Sequence, residues 1–322
     1  MTIVGFHASH EQVHPGELLR AVQHAEQVGF DAAMCSDHFA PWGLRQGHSG
    51  FAWSWLGAAL ATTGLSFGVV NAPGQRYHPA IIAQAAATLA AMFPERFWVA
   101  VGSGENVNEH ITGDAWPPKH DREQRMLACV DVIRRLFAGE EVSQDGPVRV
   151  DRARLWTRPD VPPPLLAAAI SPETATRGGG WADGLVTASQ PPDALRRVLT
   201  AYRESGGTGP ALLQVHVSWA PTDEEAAAIA RDQWRHGLIS PPDLWDIASP
   251  AEFDRRTENA SADQVRETLF VSSDVGAHLA HLSEFVHLGF DGVYLHHVGQ
   301  DQHAFLDVFG AQVLPELKKV SA

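Results

Sequence analysis

Cysteine is scarce: Cys35 and Cys129 are the only two in 322 residues. They are too few for a disulfide framework, so the reducing cytoplasm is the expected compartment. Basic residues are also short, with 24 Lys and Arg against 38 Asp and Glu and a formal charge of −14. They are scattered along the chain, which argues against gripping a nucleic-acid backbone. Long apolar runs are missing. The longest, from Ile81 to Met92, contains Gln84 and Thr88 and falls short of the ~20 residues that span a bilayer. The opening MTIVGFHASHEQ lacks the basic region and apolar stretch of a signal peptide, so no membrane association is expected. Several catalytic signatures are absent as well. There is no H-E-x-x-H, His7-Ala8-Ser9-His10 is not an H-x-H, and His278-x-x-His281 and His296-His297 lack partners at zinc spacing, so no metal is expected. No G-x-S-x-G marks a serine hydrolase. The chain is 44% hydrophobic and 19% charged, a composition that can bury a large core and excludes disorder.

Short β-like runs alternate with longer helical ones. Candidate strands are Ile3–His7, Ala32–Cys35, Ser66–Val70, Phe97–Val101, Leu165–Ala169, Gly184–Thr187, Leu212–Val217 and Gly292–His296. Helical patterns cover Gly16–Val28, Pro79–Met92, Arg122–Phe137, Pro192–Ser205, Asp223–Arg235, Val275–His287 and Gln302–Val313. Strands such as FWVAV at 97–101 are apolar throughout, as when both faces are covered. Eight strand–helix repeats predict an α/β fold, a (β/α)8 barrel, with an open doubly wound sheet as the rival. Residues 1–322 read as a single barrel domain with insertions near 138–164, a hairpin around Asp145-Gly146 and a proline-rich linker, and near 236–262.

Catalytic groups of such a barrel sit at the C-terminal strand ends. His38 follows the second strand beside Asp37; it could take a proton from a substrate hydroxyl as a neutral imidazole, or only hydrogen-bond a loop. Glu105, on a glycine-flanked turn, could act as an acid or merely favour a helix start. Glu11 could orient His38 or lie on the surface, and Trp42 could stack on a ring or serve as a lid. Gly102-Ser103-Gly104 is not a dinucleotide fingerprint, because Val107 stands where its third glycine belongs. Ser171-Pro172 marks a helix start suited to a phosphate, or an ordinary cap.

Three segments carry a resemblance over nearly the whole chain: Ser36-Asp37-His38-Phe39 with Pro41-Trp42, Arg76-Tyr77-His78-Pro79-Ala80-Ile81-Ile82-Ala83-Gln84, and Gly102-Ser103-Gly104-Glu105 with Asn108-Glu109. Together with His297-Val298-Gly299, they are similar to the luciferase-like flavin and deazaflavin oxidoreductases, nearest the F420-dependent glucose-6-phosphate dehydrogenase group. The resemblance implies a barrel carrying coenzyme F420 or FMN at its strand ends. Asp37, Val70, Asn71, Gly104 and Asn108 match cofactor contacts, and Ser171, Glu173 and Thr174 match the segment that holds the cofactor phosphate. His38 matches the base, Glu105 the acid, and Trp42 and Glu11 the lining of the reacting centre. The group carries a non-proline cis peptide bulge on its third strand, with Val70-Asn71 as the counterpart here in a loop one residue shorter. A homodimer and a small-molecule substrate are implied too. Where the group has a lysine for the substrate phosphate, after Thr187, this chain has Gln190, and near a second basic position it has Thr268, with Arg266 two residues away. Thr187 and Gln190 are therefore candidate substrate contacts, and glucose 6-phosphate is not the expected substrate.

The expected reaction is hydride transfer between an alcohol or carbonyl substrate and the cofactor ring. Two alternatives accompany it: oxygen activation by reduced FMN in a luciferase-like monooxygenase, and a non-catalytic flavin-binding barrel.

Overall fold

In the computed structural model, which describes residues 2–320, eight parallel strands close on themselves. They are β1 (Ile3–Ala8), β2 (Ala32–Ser36), β3 (Ser66–Asn71), β4 (Phe97–Val101), β5 (Leu165–Ala168), β6 (Gly184–Ala188), β7 (Ala211–Ser218) and β8 (Gly292–His297). Neighbours in sequence pair in order, β8 returns to β1 with Leu295 opposite Phe6, and β6 meets β7 with Val186 opposite Leu212. The expected (β/α)8 barrel is therefore present, and the open sheet is excluded.

Each strand has two covered faces, which explains its continuous apolar run. One face of alternate residues, among them Ala33, Cys35, Val99, Leu165, Leu213 and Val293, packs outward on the helices. The other face, with Met34, Ala100, Leu166, Leu212 and Tyr294, fills the barrel interior. The surrounding helices include α1 (Pro15–Gln27), α2 (Ala52–Thr62), α3 (Pro79–Met92), α4 (Lys119–Phe137), α5 (Pro172–Gly179), α6 (Pro192–Glu204), α7 (Asp223–Trp234), α8 (Val275–His287) and α9 (His303–Gln312). Several start as their sequences dictate: Ser171 and Thr222 accept N–H bonds from the first turn, and Asp274 caps α8 twice.

The structure adds elements that the sequence pattern did not reveal. α2 was absent from the expected helices, and Phe270–Val271 adds a two-residue strand beside the end of β7. The 138–164 insertion contains the expected hairpin, Val142–Gln144 against Val150–Ala153. The 236–262 insertion is helical, with Phe253 and Ile247 packed toward Trp42 and Val107. The implied cis bulge on the third strand is not there: β3 pairs regularly through Val70 and Asn71, and the single cis peptide among the described residues is Pro241–Pro242. Among the described residues no helix is long and apolar enough to cross a membrane.

Candidate active site

A cavity of about 1090 Å³ opens at the C-terminal ends of the strands. It is slightly larger than the range typical of small-molecule sites, ~300–1,000 Å³. His38, Glu105, Trp42 and Glu11 line it, with Asp37, Val70, Asn71, Gly104 and Asn108, Ser171, Glu173 and Thr174, and Thr187 and Gln190. Residues spread over 180 positions thus meet in one space, because parallel strands deliver all their following loops to one rim.

His38 lies between two carboxylates. Its Nδ1 is 2.9 Å from Glu11 Oε1, off the ring N–H axis, and its Nε2 is 3.4 Å from Glu105 Oε2. Ser9 Oγ donates to the other Glu11 oxygen at 2.8 Å and fixes that carboxylate. Burial acts to raise the Glu11 carboxyl, but the charge and contact of His38 outweigh it and hold it well below the usual carboxylate range. For His38, burial disfavours the charged ring; Glu11, by charge and contact, and Glu105 overcome this and lift it to about 9. The expectation of a resting neutral imidazole is corrected accordingly: with Glu11 ionised beside it, His38 rests as imidazolium at neutral pH. Burial, offset only in part by the His38 charge, pushes Glu105 up.

Trp42 forms one wall. Its indole lies parallel to the His236 imidazole (interplanar angle 2°, centroids 5.3 Å apart) and edge-on to His38 at 5.2 Å. Phe253 backs it at 5.4 Å, so the 236–262 insertion sets its position.

Asp37 and Asn108 hold the site together from within. Asp37 Oδ2 accepts from Trp53 Nε1 at 2.9 Å and from Asn71 Nδ2 at 2.8 Å, and its carboxylate is fully buried. Asn108 Oδ1 accepts from the Phe39 and Ala40 amides, while its Nδ2 donates to Glu105 at 3.1 Å. Both side chains thus have protein partners. Arg76 was quoted above only as part of a motif. It lies buried between Asp37 Oδ2 at 3.7 Å and Glu109 Oε1 at 3.5 Å, and donates to the Asp37 carbonyl at 2.6 Å. Burial raises the Glu109 carboxyl, and the Arg76 amide and charge restrain it. The spacing Glu105-x-x-x-Glu109 was the available signal, since it puts two carboxylates one helical turn apart.

The residues present fit a flat ring with a phosphate-bearing tail. Val70, Ala72, Val101, Gly102, Ala167 and Ala168 form a low apolar strip across β3, β4 and β5. At the strip's edge the Asn71 Oδ1 is buried without a partner. Gly104 stands at φ +85°, where a side chain would be strained and its Cβ would crowd Ala72 and Glu109. The tail end is α5, where Ser171 Oγ caps the Thr174 amide at 3.3 Å. The exposed Glu173 carboxylate bonds Arg177 at 2.7 Å and lies 3.6 Å from Lys119. An anion there would be met by Lys119, Arg177 and the Glu173 amide, the one first-turn N–H without a protein partner among the described residues, and Glu173 holds those cations in place.

The geometry agrees with what the chain is related to. Residues 1–292 match the family model described as luciferase-like monooxygenase. The chain belongs to the luciferase-like family. An F420-dependent glucose-6-phosphate dehydrogenase of Nakamurella multipartita is 35% identical, over 98% of this chain and 96% of its own length. An F420-dependent hydroxymycolic acid dehydrogenase of Mycobacterium tuberculosis is 33% identical, over 98% of this chain and 88% of its own. A solved F420-dependent secondary alcohol dehydrogenase, in complex with an F420-acetone adduct, superposes with a TM-score of 0.90 at 30% identity, covering 98% of this chain and 99% of that one.

Proposed function

We propose that the protein is an F420-dependent oxidoreductase that moves a hydride between a small secondary alcohol, or its ketone, and the deazaflavin ring. The observation that carries this reading is His38 held between Glu11 and Glu105 beside an apolar strip at the barrel mouth. When bound, the coenzyme supplies a ring carbon that accepts or returns a hydride. In oxidation the carbinol C–H bond breaks, its electron pair leaving with the hydrogen, and the hydroxyl proton passes to Nε2 of a His38 ring that has first lost its resting proton to solvent, as the carbonyl forms. Glu11 keeps that nitrogen toward the cavity by occupying Nδ1. Glu105, whose carboxyl is pushed up by burial, is the proton source on the coenzyme side. In reduction the imidazolium donates from Nε2 to the carbonyl oxygen.

The names of the relatives support F420 over FMN. The substrate in this reading is unphosphorylated. Lining residues from β6 onward, such as Gln190, Gln214, Trp234 and Thr268, include no Lys or Arg. A substrate phosphate would thus lose charge-assisted contacts of ~1.5–3 kcal/mol each. A cytoplasmic homodimer is part of the same proposal, on the scarcity of cysteine and the likeness to the family.

The test begins with titration of the apoprotein by F420 and by FMN, following fluorescence quenching, with tight binding expected for F420. The holoenzyme is then offered sec-butanol and glucose 6-phosphate, following loss of the oxidised coenzyme's visible absorbance. Turnover of the alcohol and not the sugar phosphate is expected. Preference for FMN with oxygen consumption by the reduced enzyme makes it a monooxygenase, and tight binding without turnover of any alcohol, carbonyl or oxygen leaves a flavin-binding barrel.

A further inference from the structure

The wall built by β6, β7, β8 and the end of β1 carries a polar array that hydride transfer does not use. Gln12 Nε2 donates to the Val298 carbonyl, which turns its Oε1 to His296 Nε2 at 2.6 Å. His296 therefore donates from Nε2 and accepts at Nδ1, where Gln214 Nε2 donates at 3.2 Å. The same amide donates to His216 Nε2 at 3.2 Å, and His216 Nδ1 donates to Ser189 Oγ at 3.0 Å. Each proton is assigned by its neighbour, so both imidazoles are neutral. Crowding has the same effect: ring centroids of His7 and His296 are 4.5 Å apart, and those of His216 and His296 are 5.3 Å apart. Chiefly through burial, His7 falls to about 4 and His216 to about 3. Among the described residues no group of His, Cys, Asp and Glu could hold a metal ion.

Two atoms of this wall are incomplete. Thr187 Oγ1 and His7 Nδ1 are buried without partners, although both residues border the cavity. Native structures normally match such atoms with a ligand or water. His7 also lines the same cavity as Glu11 and His38, and it lies on β1, which pairs with the strand that precedes His38, so the wall begins on the side of the reacting position. An acceptor-only phosphate or carboxylate finds no Lys or Arg here. A hydroxyl, which both donates and accepts, suits the Thr187 and Ser189 hydroxyls and the His7 ring nitrogen.

We infer that this wall recognises a second, uncharged hydroxyl next to the reacting carbon, so that the preferred substrates are small neutral vicinal diols and the matching hydroxy ketones. The inference rests on the oxidoreductase reading above. In the oxidation one C–H and one O–H bond of the diol break, a hydride goes to F420 and a proton to His38, and the second hydroxyl is unchanged.

The test compares kcat/KM of the F420 holoenzyme for 2,3-butanediol and for sec-butanol, which differ by one hydroxyl. The diol is expected to be favoured about tenfold, the scale of one added neutral hydrogen bond. Thr187→Val should bring that ratio close to unity, and Thr187→Ser, which keeps the hydroxyl, should restore it. Inhibition by acetoin and by butanone, compared in the same variants, reads the contact as binding. Equal kcat/KM for the two alcohols in the unaltered protein, or a Thr187→Val loss shared equally by both, overturns the wall's role and leaves the hydride reading standing. Failure to oxidise either alcohol overturns both.

Discussion

A carboxylate 2.9 Å from a buried imidazole decides which proton the site can move. With His38 lifted to about 9, alcohol oxidation, which needs the neutral ring, should climb with pH toward that value, while ketone reduction should fall over the same range. Glu11→Gln removes the main charge opposing burial, so the imidazole should drop below its ordinary 6.5. The rising limb of the oxidation profile should then move to acid by more than about two units; an unmoved limb means that Glu11 does not govern His38. His38→Ala is expected to cost roughly 10²–10⁴ in kcat while leaving the F420 dissociation constant nearly unchanged. Loss of coenzyme affinity with intact turnover would sink the assigned role. Asp37, Arg76 and Glu109 work differently: removing one of them leaves the others buried and unpaired, so their variants report on folding before chemistry.

Strand glycines hold the barrel interior open for its largest side chains. Gly68 of β3 stands opposite Trp98 of β4, and Gly5 of β1 opposite Tyr294 of β8. A Cβ on Gly68 would come within 1.9 Å of the Trp98 ring, and one on Gly5 within 2.2 Å of Tyr294. Gly68→Ala should therefore destabilise the protein by about 1–3 kcal/mol or more, read as a lower urea midpoint. A midpoint equal to that of the unaltered protein would show that Trp98 has somewhere else to go. The same strands were legible in the sequence because both faces are covered and the apolar runs are short and bounded. α2 was not legible. AWSWLGAALAT offers almost no polar face, and Phe51 before it supplies no side-chain cap, so neither periodicity nor a start signal set it apart. That His38, Glu11 and Glu105 would meet at the barrel mouth was readable because each lies within a few residues of the C-terminal end of a strand. The polar wall was missed although its signal was present: Gly5-x-His7, Leu212-x-Gln214-x-His216 and Tyr294-x-His296 continue the inward-facing parity of their strands into polar residues. Arg76 was obscured by the Pro73-Gly74 turn, since only the fold brings it against Asp37.

Across the whole molecule, much of the polar side of the barrel mouth is lined with histidine, and that choice ties stability to pH. Burial is the leading cause that holds His7, His10 and His297 at about 4, His216 and His236 at about 3, and His296 well below the ordinary value. In the unfolded chain these rings take protons near 6.5, so as the pH falls below that value the unfolded state binds more protons than the folded one. Their neutral burial thus contributes stability that is complete above 6.5 and is lost as the pH falls toward 4 and 3. His38 runs the other way. Its raised value gives stability that is complete below 6.5 and is lost as the pH rises through about 9. The two slopes meet near 6.5, so stability should peak there. Urea midpoints should be highest near pH 6.5, should fall gradually on the alkaline side as the pH rises through about 9, and should already decline by about pH 5, before ordinary carboxylates near 4 have titrated. A midpoint constant down to about pH 4.5 would mean that these imidazoles are solvated or charged in the folded protein. The neutral hydrogen-bonded wall assigned to substrate recognition could then not exist in solution.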